Sequence, residues 1–285
     1  MKTNEESFGV AKTGKGSFGA TKTSQASFGV AKKIALTLCL ILAGCAGGQQ
    51  HVIQQPESSE RVDAQYRARV HTELAASYFS LAQYGVALEE LNEALRSDAS
   101  YTPAYNMLGV VYMELKEDRQ AEQSFQQALR ISPADSEAHN NYGWFLCTRG
   151  RMAQSIDHFL EAVKNPLYAT PERAYLNAGI CTRKQGDDAS AEKYFLSALK
   201  IQPLQQQALY NIADLYFAQG RYGDARLHLD RHLRVAAATA DSLWLAVRID
   251  RKLRDRDAEA SHALQLRKQF PDSPQADLLK SGRYE

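Results

Sequence analysis

A pattern of seven positions, five of them with identical residues, recurs seventy positions further along the chain and constrains the fold more than any other sequence feature. The two sets are Leu108, Gly109, Tyr112, Ala121, Phe125, Ala128 and Pro133, and then Ala178, Gly179, Thr182, Ala191, Phe195, Ala198 and Pro203. Gly, Ala, Phe, Ala and Pro occupy the same places in both sets. Small residues at helical spacing let two helix backbones approach closely, so each set predicts a pair of packed helices. The recurrence predicts an array of such pairs.

The spacing of Leu-Gly, Tyr, Ala, Phe, Ala and Pro resembles the tetratricopeptide repeat, a helix-turn-helix unit of about 34 residues. The resemblance implies an all-α protein, a right-handed superhelix of about six such units. Counting from the first set predicts five repeats, a weak sixth repeat and a tail, at 67–101, 102–135, 136–171, 172–205, 206–238, 239–274 and 275–285. Two additional residues enter the third repeat around 165–170. The charged stretch 248–257 indicates a polar end of the array.

The first 44 residues have a composition of their own. Lys32 and Lys33 precede an apolar run from 34 to 43, and a related heptad begins at Ser7, Ser17 and Ser27. A basic flank, a short apolar core and small residues at its end predict a signal peptide at 1–44 with a triplicated leader, which is removed. An apolar run of this length is too short to span a bilayer, which needs about 20 residues.

Leu42-Ala43-Gly44-Cys45 resembles the bacterial lipoprotein box. The resemblance implies cleavage before Cys45 and acyl chains on its sulfur and amine, which would anchor the protein to a membrane. Ala46 in place of Asp implies the outer membrane, with 45–66 as lipidated Cys and flexible tether. The alternative is an ordinary buried Cys at a signal-peptide boundary.

Sequence motifs for catalysis are missing from the chain. It contains no HExxH, GxSxG or Walker sequence, so we predict neither an enzyme, nor a cofactor, nor a small-molecule substrate. His228 and His232 stand four residues apart and could bind a metal, but an exposed helix surface is the simpler interpretation. Without 1–44 the chain has 28 basic and 31 acidic residues, which gives no reason to expect nucleic acid.

Cys147 and Cys181 fall at similar positions in the first helices of neighbouring repeats. An exported chain passes through an oxidising compartment, so we predict a disulfide between them. The alternative of two buried thiols stays open, since Cys is among the most buried residue types.

A more specific resemblance begins beside Cys147. The segments Asn140-Asn141-Tyr142-Gly143, Phe145-Leu146-Cys147, Pro166-x-Tyr168 and Asn177-Ala178-Gly179-Ile180-Cys181 resemble the type IV pilus biogenesis and stability lipoproteins. The resemblance implies a pilotin: a lipoprotein on the periplasmic face of the outer membrane that helps the pilus secretin to assemble. Its partner would be a secretin subunit or another pilus-assembly protein. The alternative is a lipoprotein scaffold subunit of another envelope assembly machine.

In such superhelices the first helix of each repeat lines the concave side. The corresponding positions predict nine partner-binding residues: Asn106, Val110, Met113, Asn140, Trp144, Ile180, Tyr210, Asp214 and Phe217. Their mixture of aromatic, apolar and amide groups is typical of a groove that binds a helix or an extended segment. Packing between helices remains the alternative for Trp144 and Phe217.

Overall fold

The computed structural model describes residues 57–284, and the all-α prediction is confirmed for this range. The predicted signal peptide, the leader, Cys45 and residues 46–56 of the tether lie outside the described residues. Thirteen helices follow one another within 57–284: α1 (Glu57–Ser80), α2 (Tyr84–Ser97), α3 (Thr102–Glu114), α4 (Asp118–Ile131), α5 (Ser136–Thr148), α6 (Met152–Ala162), α7 (Pro171–Lys184), α8 (Asp188–Ile201), α9 (Gln206–Ala218), α10 (Tyr222–Val235), α11 (Ala240–Leu253), α12 (Arg256–Gln269) and α13 (Pro274–Lys280). Within this range no helix combines the length and apolarity needed to cross a membrane.

Glycine and phenylalanine form the contact between the two helices of the second, third and fourth repeats. A Cβ atom added to Gly109 would lie 2.5 Å from the ring of Phe125. A Cβ atom added to Gly143 would lie 2.8 Å from the ring of Phe159, and one added to Gly179 would lie 2.5 Å from the ring of Phe195. Because non-bonded carbon atoms prefer separations of about 3.5–4.0 Å, no larger residue fits these positions without displacing the ring.

The first, fifth and sixth repeats fill the same two positions with residues of different size. Ala75 and Leu91 share one buried cluster, Ala213 and Leu229 another, and Val247 and Ala263 a third. A smaller residue on the second helix makes room for a side chain on the first, so the packed volume is conserved. This compensation explains why the sequence signature weakens towards both ends of the array.

A residue with left-handed backbone conformation ends the first helix of every repeat. These residues are Ala82, Lys116, Gly150, Gly186, Gly220 and Arg254, with φ between 57° and 88°. Glycine adopts this conformation without steric cost, whereas the other three residues are strained in it. Successive members of the set are 34 residues apart, except for 36 between Gly150 and Gly186.

The lengthened connection lies between α6 and α7. The Tyr168 hydroxyl donates to the Glu137 carboxylate on α5 at 3.1 Å, and Arg173 contacts the same carboxylate at 3.2 Å. Burial and the adjacent Glu137 charge raise the pKa of Tyr168, which therefore stays a neutral donor. Tyr168 thus ties the lengthened connection to α5 of the third repeat.

The first helices line the inside of the curve. Within the described residues α3 contacts α5, α5 contacts α7, α7 contacts α9, and α9 contacts α11, whereas no second helix contacts the next second helix. Elements that meet at the shorter spacing lie on the concave side. Beyond them, in the predicted tail 275–285, most of α13 packs on α11 through Ala276 and Leu279, and Tyr284 stacks on Trp244 with ring centroids 5.6 Å apart.

Candidate partner-binding face

We call the concave side of α3, α5, α7, α9 and α11 the inner face. All nine predicted partner-binding residues lie on four of these helices. Seven of them are partly exposed: Asn106, Met113, Trp144, Ile180, Tyr210, Asp214 and Phe217. Val110 and Asn140 are buried, with 3% and 0% exposure, and this removes them from the surface that a partner can reach.

Asn140 is buried within a series of hydrogen-bonded asparagines that joins three first helices, α3, α5 and α7. The Asn177 side-chain amide on α7 donates to the side-chain oxygen of Asn140 at 3.0 Å, and the Asn140 amide donates to the side-chain oxygen of Asn141 at 3.3 Å. Asn141 in turn donates to Asn106 on α3 at 3.2 Å. Hydrogen bonding offsets the cost of burying these amides and aligns the helices. The recurrence of Asn in the first helices α3, α5, α7 and α9 is the sequence signal from which this role could have been inferred.

Aromatic and cationic side chains alternate on the inner face from the third to the sixth repeat. The Lys184 ammonium lies 5.5 Å from the ring centre of Trp144, and the Arg248 guanidinium lies 4.6 Å from that of Phe217. Such contacts stabilise by roughly 0.5–2 kcal/mol, depending on exposure. Arg248 is the residue that the sequence analysis missed, because the charged stretch 248–257 was interpreted as a polar end surface.

One carboxylate links three helices of the inner face. Asp214 on α9 pairs with Arg183 on α7 at 2.8 Å and with Arg248 on α11 at 3.8 Å. Its side chain is 31% exposed, so the closer pair is only partly screened by water. Asp214 therefore acts first as a bridge within the protein and holds the two cations at fixed positions.

A disulfide lies beneath this face. Cys147 on α5 and Cys181 on α7 are bonded, with their Cα atoms 5.9 Å apart and the two residues 2% and 0% exposed. Trp144 packs against the cluster that contains both cysteines. The covalent link therefore fixes the spacing of α5 and α7 below the aromatic ring that the inner face presents.

The histidines take part in packing between helices. His232 Nδ1 donates to the Gln206 carbonyl at 2.9 Å, and burial lowers the pKa of both His228 and His232. His139 and His158 hydrogen-bond to each other through their Nδ1 atoms at 2.8 Å, and burial lowers the pKa of His158 to about 4. No cluster of three metal-ligating side chains occurs in the range 57–284.

Comparisons with known proteins agree with this architecture. A profile for the tetratricopeptide repeat matches residues 119–171 and 183–242, and a second such profile matches 102–135. A similarity of 26% identity over 133 residues to the mouse aspartyl/asparaginyl beta-hydroxylase covers 46% of this chain and 18% of that protein. The profile matches describe a scaffold-type protein.

Two solved structures align with most of the repeat region. The structure of PilW, a widely conserved type IV pilus biogenesis factor, is 36% identical with a TM-score of 0.68, covering 74% of this chain and 97% of PilW. The type IV pilus assembly protein PilF of Pseudomonas aeruginosa is 27% identical over 241 residues, which is 84% of this chain and 94% of PilF. The PilF structure gives a TM-score of 0.70. The chain therefore belongs to the tetratricopeptide-repeat proteins related to the type IV pilus biogenesis factors PilF and PilW.

Proposed function

We propose that the protein is an outer-membrane lipoprotein that binds a pilus-assembly protein, the secretin subunit, and assists assembly of the type IV pilus secretin. The observation that carries this proposal is the similarity to PilW, which covers 97% of the solved PilW chain at 36% identity. The partly exposed aromatic residues of the inner face support a binding role, since large anchors supply most of the affinity in protein interfaces. The lipobox-like segment ending at Cys45 supports the anchor.

Deletion of the gene tests the proposed role in the cell. We expect fewer surface pili and fewer heat-resistant secretin multimers, with restoration by the wild-type gene on a plasmid. Normal pili and normal secretin multimers in the deletion strain, together with defects in another envelope complex, would instead assign the protein to a different assembly machine.

Replacing Cys45 by serine is expected to release the protein from the membrane. Serine cannot accept the thioether-linked lipid, and stable anchoring requires two or more acyl chains. Fractionation should find the Cys45→Ser variant in the soluble periplasmic fraction, with secretin multimers reduced. The matched control is Cys39→Ser, which changes the cysteine inside the apolar run 34–43 of the predicted signal peptide. This variant should fractionate like the wild type. Unchanged outer-membrane fractionation of Cys45→Ser would contradict the anchor.

Replacing Trp144 and Phe217 together by alanine is expected to weaken partner binding at least tenfold. Each ring is partly exposed on the inner face, and truncation of an anchoring aromatic residue typically costs more than about 1.4 kcal/mol, or tenfold in affinity. Pull-down with purified secretin domains measures the effect, and circular dichroism checks that the helices persist. Leu160→Ala with Leu196→Ala, on the second helices α6 and α8, is the matched control. Equal capture by both double variants would place the partner elsewhere.

A further inference from the structure

Arg248 lies on the inner face without a hydrogen-bonded partner. Its side chain is 21% exposed, and its buried Nε atom has no hydrogen-bond partner within residues 57–284. The ion pair with Asp214 is long, at 3.8 Å. A guanidinium carries five N–H donors, and a largely buried donor without an acceptor is costly. Within residues 57–284, Arg248 is therefore a cation whose charge is met only in part, by one long ion pair.

Asp214 is poorly placed to neutralise Arg248. The carboxylate is engaged by Arg183 at the shorter distance of 2.8 Å, and Lys184 lies on the same helix as Arg183. Two arginines, Arg183 and Arg248, thus share one carboxylate. A second carboxylate close to Arg248 would therefore meet a positive charge that Asp214 neutralises only in part.

Arg226 provides a comparison, because this partly buried arginine is surrounded by carboxylates. Its guanidinium contacts Asp255 at 2.8 Å and Asp250 at 3.2 Å, with Asp230 at 4.0 Å. Both arginines have similar exposure, 30% for Arg226 and 21% for Arg248. The contrast indicates that burial alone does not explain the missing acceptors around Arg248.

Aromatic rings hold the Arg248 guanidinium in place. It lies 4.6 Å from the ring centre of Phe217 and 5.9 Å from that of Trp244. Contact through the plane of a guanidinium leaves its N–H edge available for bidentate hydrogen bonds to a carboxylate. The two rings therefore orient the guanidinium without accepting hydrogen bonds from its terminal N–H groups.

The C-terminal segment limits how far along α11 a partner can reach. Tyr284 stacks on Trp244, and the Arg251 guanidinium lies 3.9 Å from the Tyr284 ring centre. Trp244 is consequently 6% exposed. Arg248 remains the side chain through which α11 can take part in binding on this side.

We propose that the inner face between α7, α9 and α11 recognises a carboxylate on the partner segment, carried beside an apolar side chain that packs against Phe217. Arg248 binds the carboxylate through two hydrogen bonds from its terminal nitrogens, since its Nε atom is buried, while Arg183 adds positive potential. The proposal rests on the proposed function only in assuming a protein partner, and it specifies the chemistry of that partner. It makes Arg248 a determinant of specificity, because a segment without the carboxylate would leave the guanidinium unpaired.

Selection from a random dodecapeptide display library on immobilised full-length protein tests this inference. We expect Asp or Glu to be enriched next to apolar residues on the wild type, and the enrichment to disappear on Arg248→Gln. Arg130→Gln, an exposed arginine on α4, is the matched control and should retain the enrichment. Libraries with free and with blocked C-termini distinguish a side-chain carboxylate from a terminal one. Selected peptides without acidic enrichment, or the same enrichment on Arg248→Gln, would overturn the proposal.

Synthetic copies of the selected peptides supply the quantitative arm. Glu→Gln in the peptide and Arg248→Gln in the protein should each weaken binding about tenfold, and the two changes together should cost little more than either alone. The peptide substitution needs no altered protein, so the test stands even if Arg248→Gln folds poorly. Additive losses would contradict direct pairing. Acid selectivity with normal pili in the deletion strain would refute the pilus role alone, whereas loss of pili without acid selectivity would refute the carboxylate site alone.

Discussion

Replacing Cys147 and Cys181 together by alanine is expected to lower the free energy of unfolding by about 3–4 kcal/mol. The two residues are 34 positions apart, and the disulfide removes the entropy of that loop from the unfolded chain. Alanine is the appropriate replacement, because both positions are buried and a serine hydroxyl would lack a partner there. Since the disulfide joins α5 to α7, the loss should concentrate in the third and fourth repeats.

Urea unfolding with and without a reducing agent measures this contribution. The reducing agent should lower the midpoint of the wild type towards that of the double variant and leave the double variant unchanged, which makes the variant its own control. Thiol labelling of protein purified from the periplasm should find both cysteines blocked. Free thiols in that protein, or a wild-type midpoint that is insensitive to reduction, would show that the bond does not contribute in the cell.

Replacing Asp250 by alanine is expected to destabilise the C-terminal end of the superhelix by about 3 kcal/mol, the lower end of what removal of one partner from a buried ion pair costs. The Asp250 side chain is 2% exposed and contacts Arg226 on α10 at 3.2 Å and His262 on α12 at 2.7 Å. Its removal leaves Arg226 on α10 and His262 on α12 without their common partner. Arrays of repeats unfold from their ends, so this loss should be local.

Hydrogen exchange followed by mass spectrometry resolves where the stability is lost. Amide protection should fall in α10 to α13 of Asp250→Ala and remain unchanged in α3 to α6. Glu73→Ala, which breaks an exposed ion pair with Arg69, is the matched control and should have a much smaller effect. A uniform loss of protection along the array would contradict the local role of Asp250.

Contacts and backbone conformations within one repeat were readily predicted from the sequence. Gly109 and Phe125, or Gly179 and Phe195, meet because a helix pair brings positions at constant spacing together, and the spacing is visible in the letters. The same holds for Gly150, Gly186 and Gly220, whose left-handed conformation recurs at each turn. Local geometry and a repeated pattern suffice for such predictions, because each is independent of how the repeats stack.

Interactions between repeats were harder to predict. Asn140 occupies a position typical of a groove residue, yet the neighbouring helices bury it within a chain of amides. Asp250 belongs to a stretch that is charged enough to indicate a surface, yet Arg226 and His262 surround it. In both cases burial depends on residues 12 to 37 positions away, and their approach depends on the angle between successive repeats.

The sequence by itself determined the helical array, its period, the enlarged third repeat and the helices that carry the inner face, because all of these follow from spacing along the chain. Only the tertiary structure decided which side chains of that face remain available. Stacking of the repeats buries Asn140 and Val110, covers Trp244 with Tyr284, and places Asp214 nearer to Arg183 than to Arg248. The physical reason is that hydrogen bonding and charge pairing depend on distances between helices, and the stacking of the repeats sets those distances.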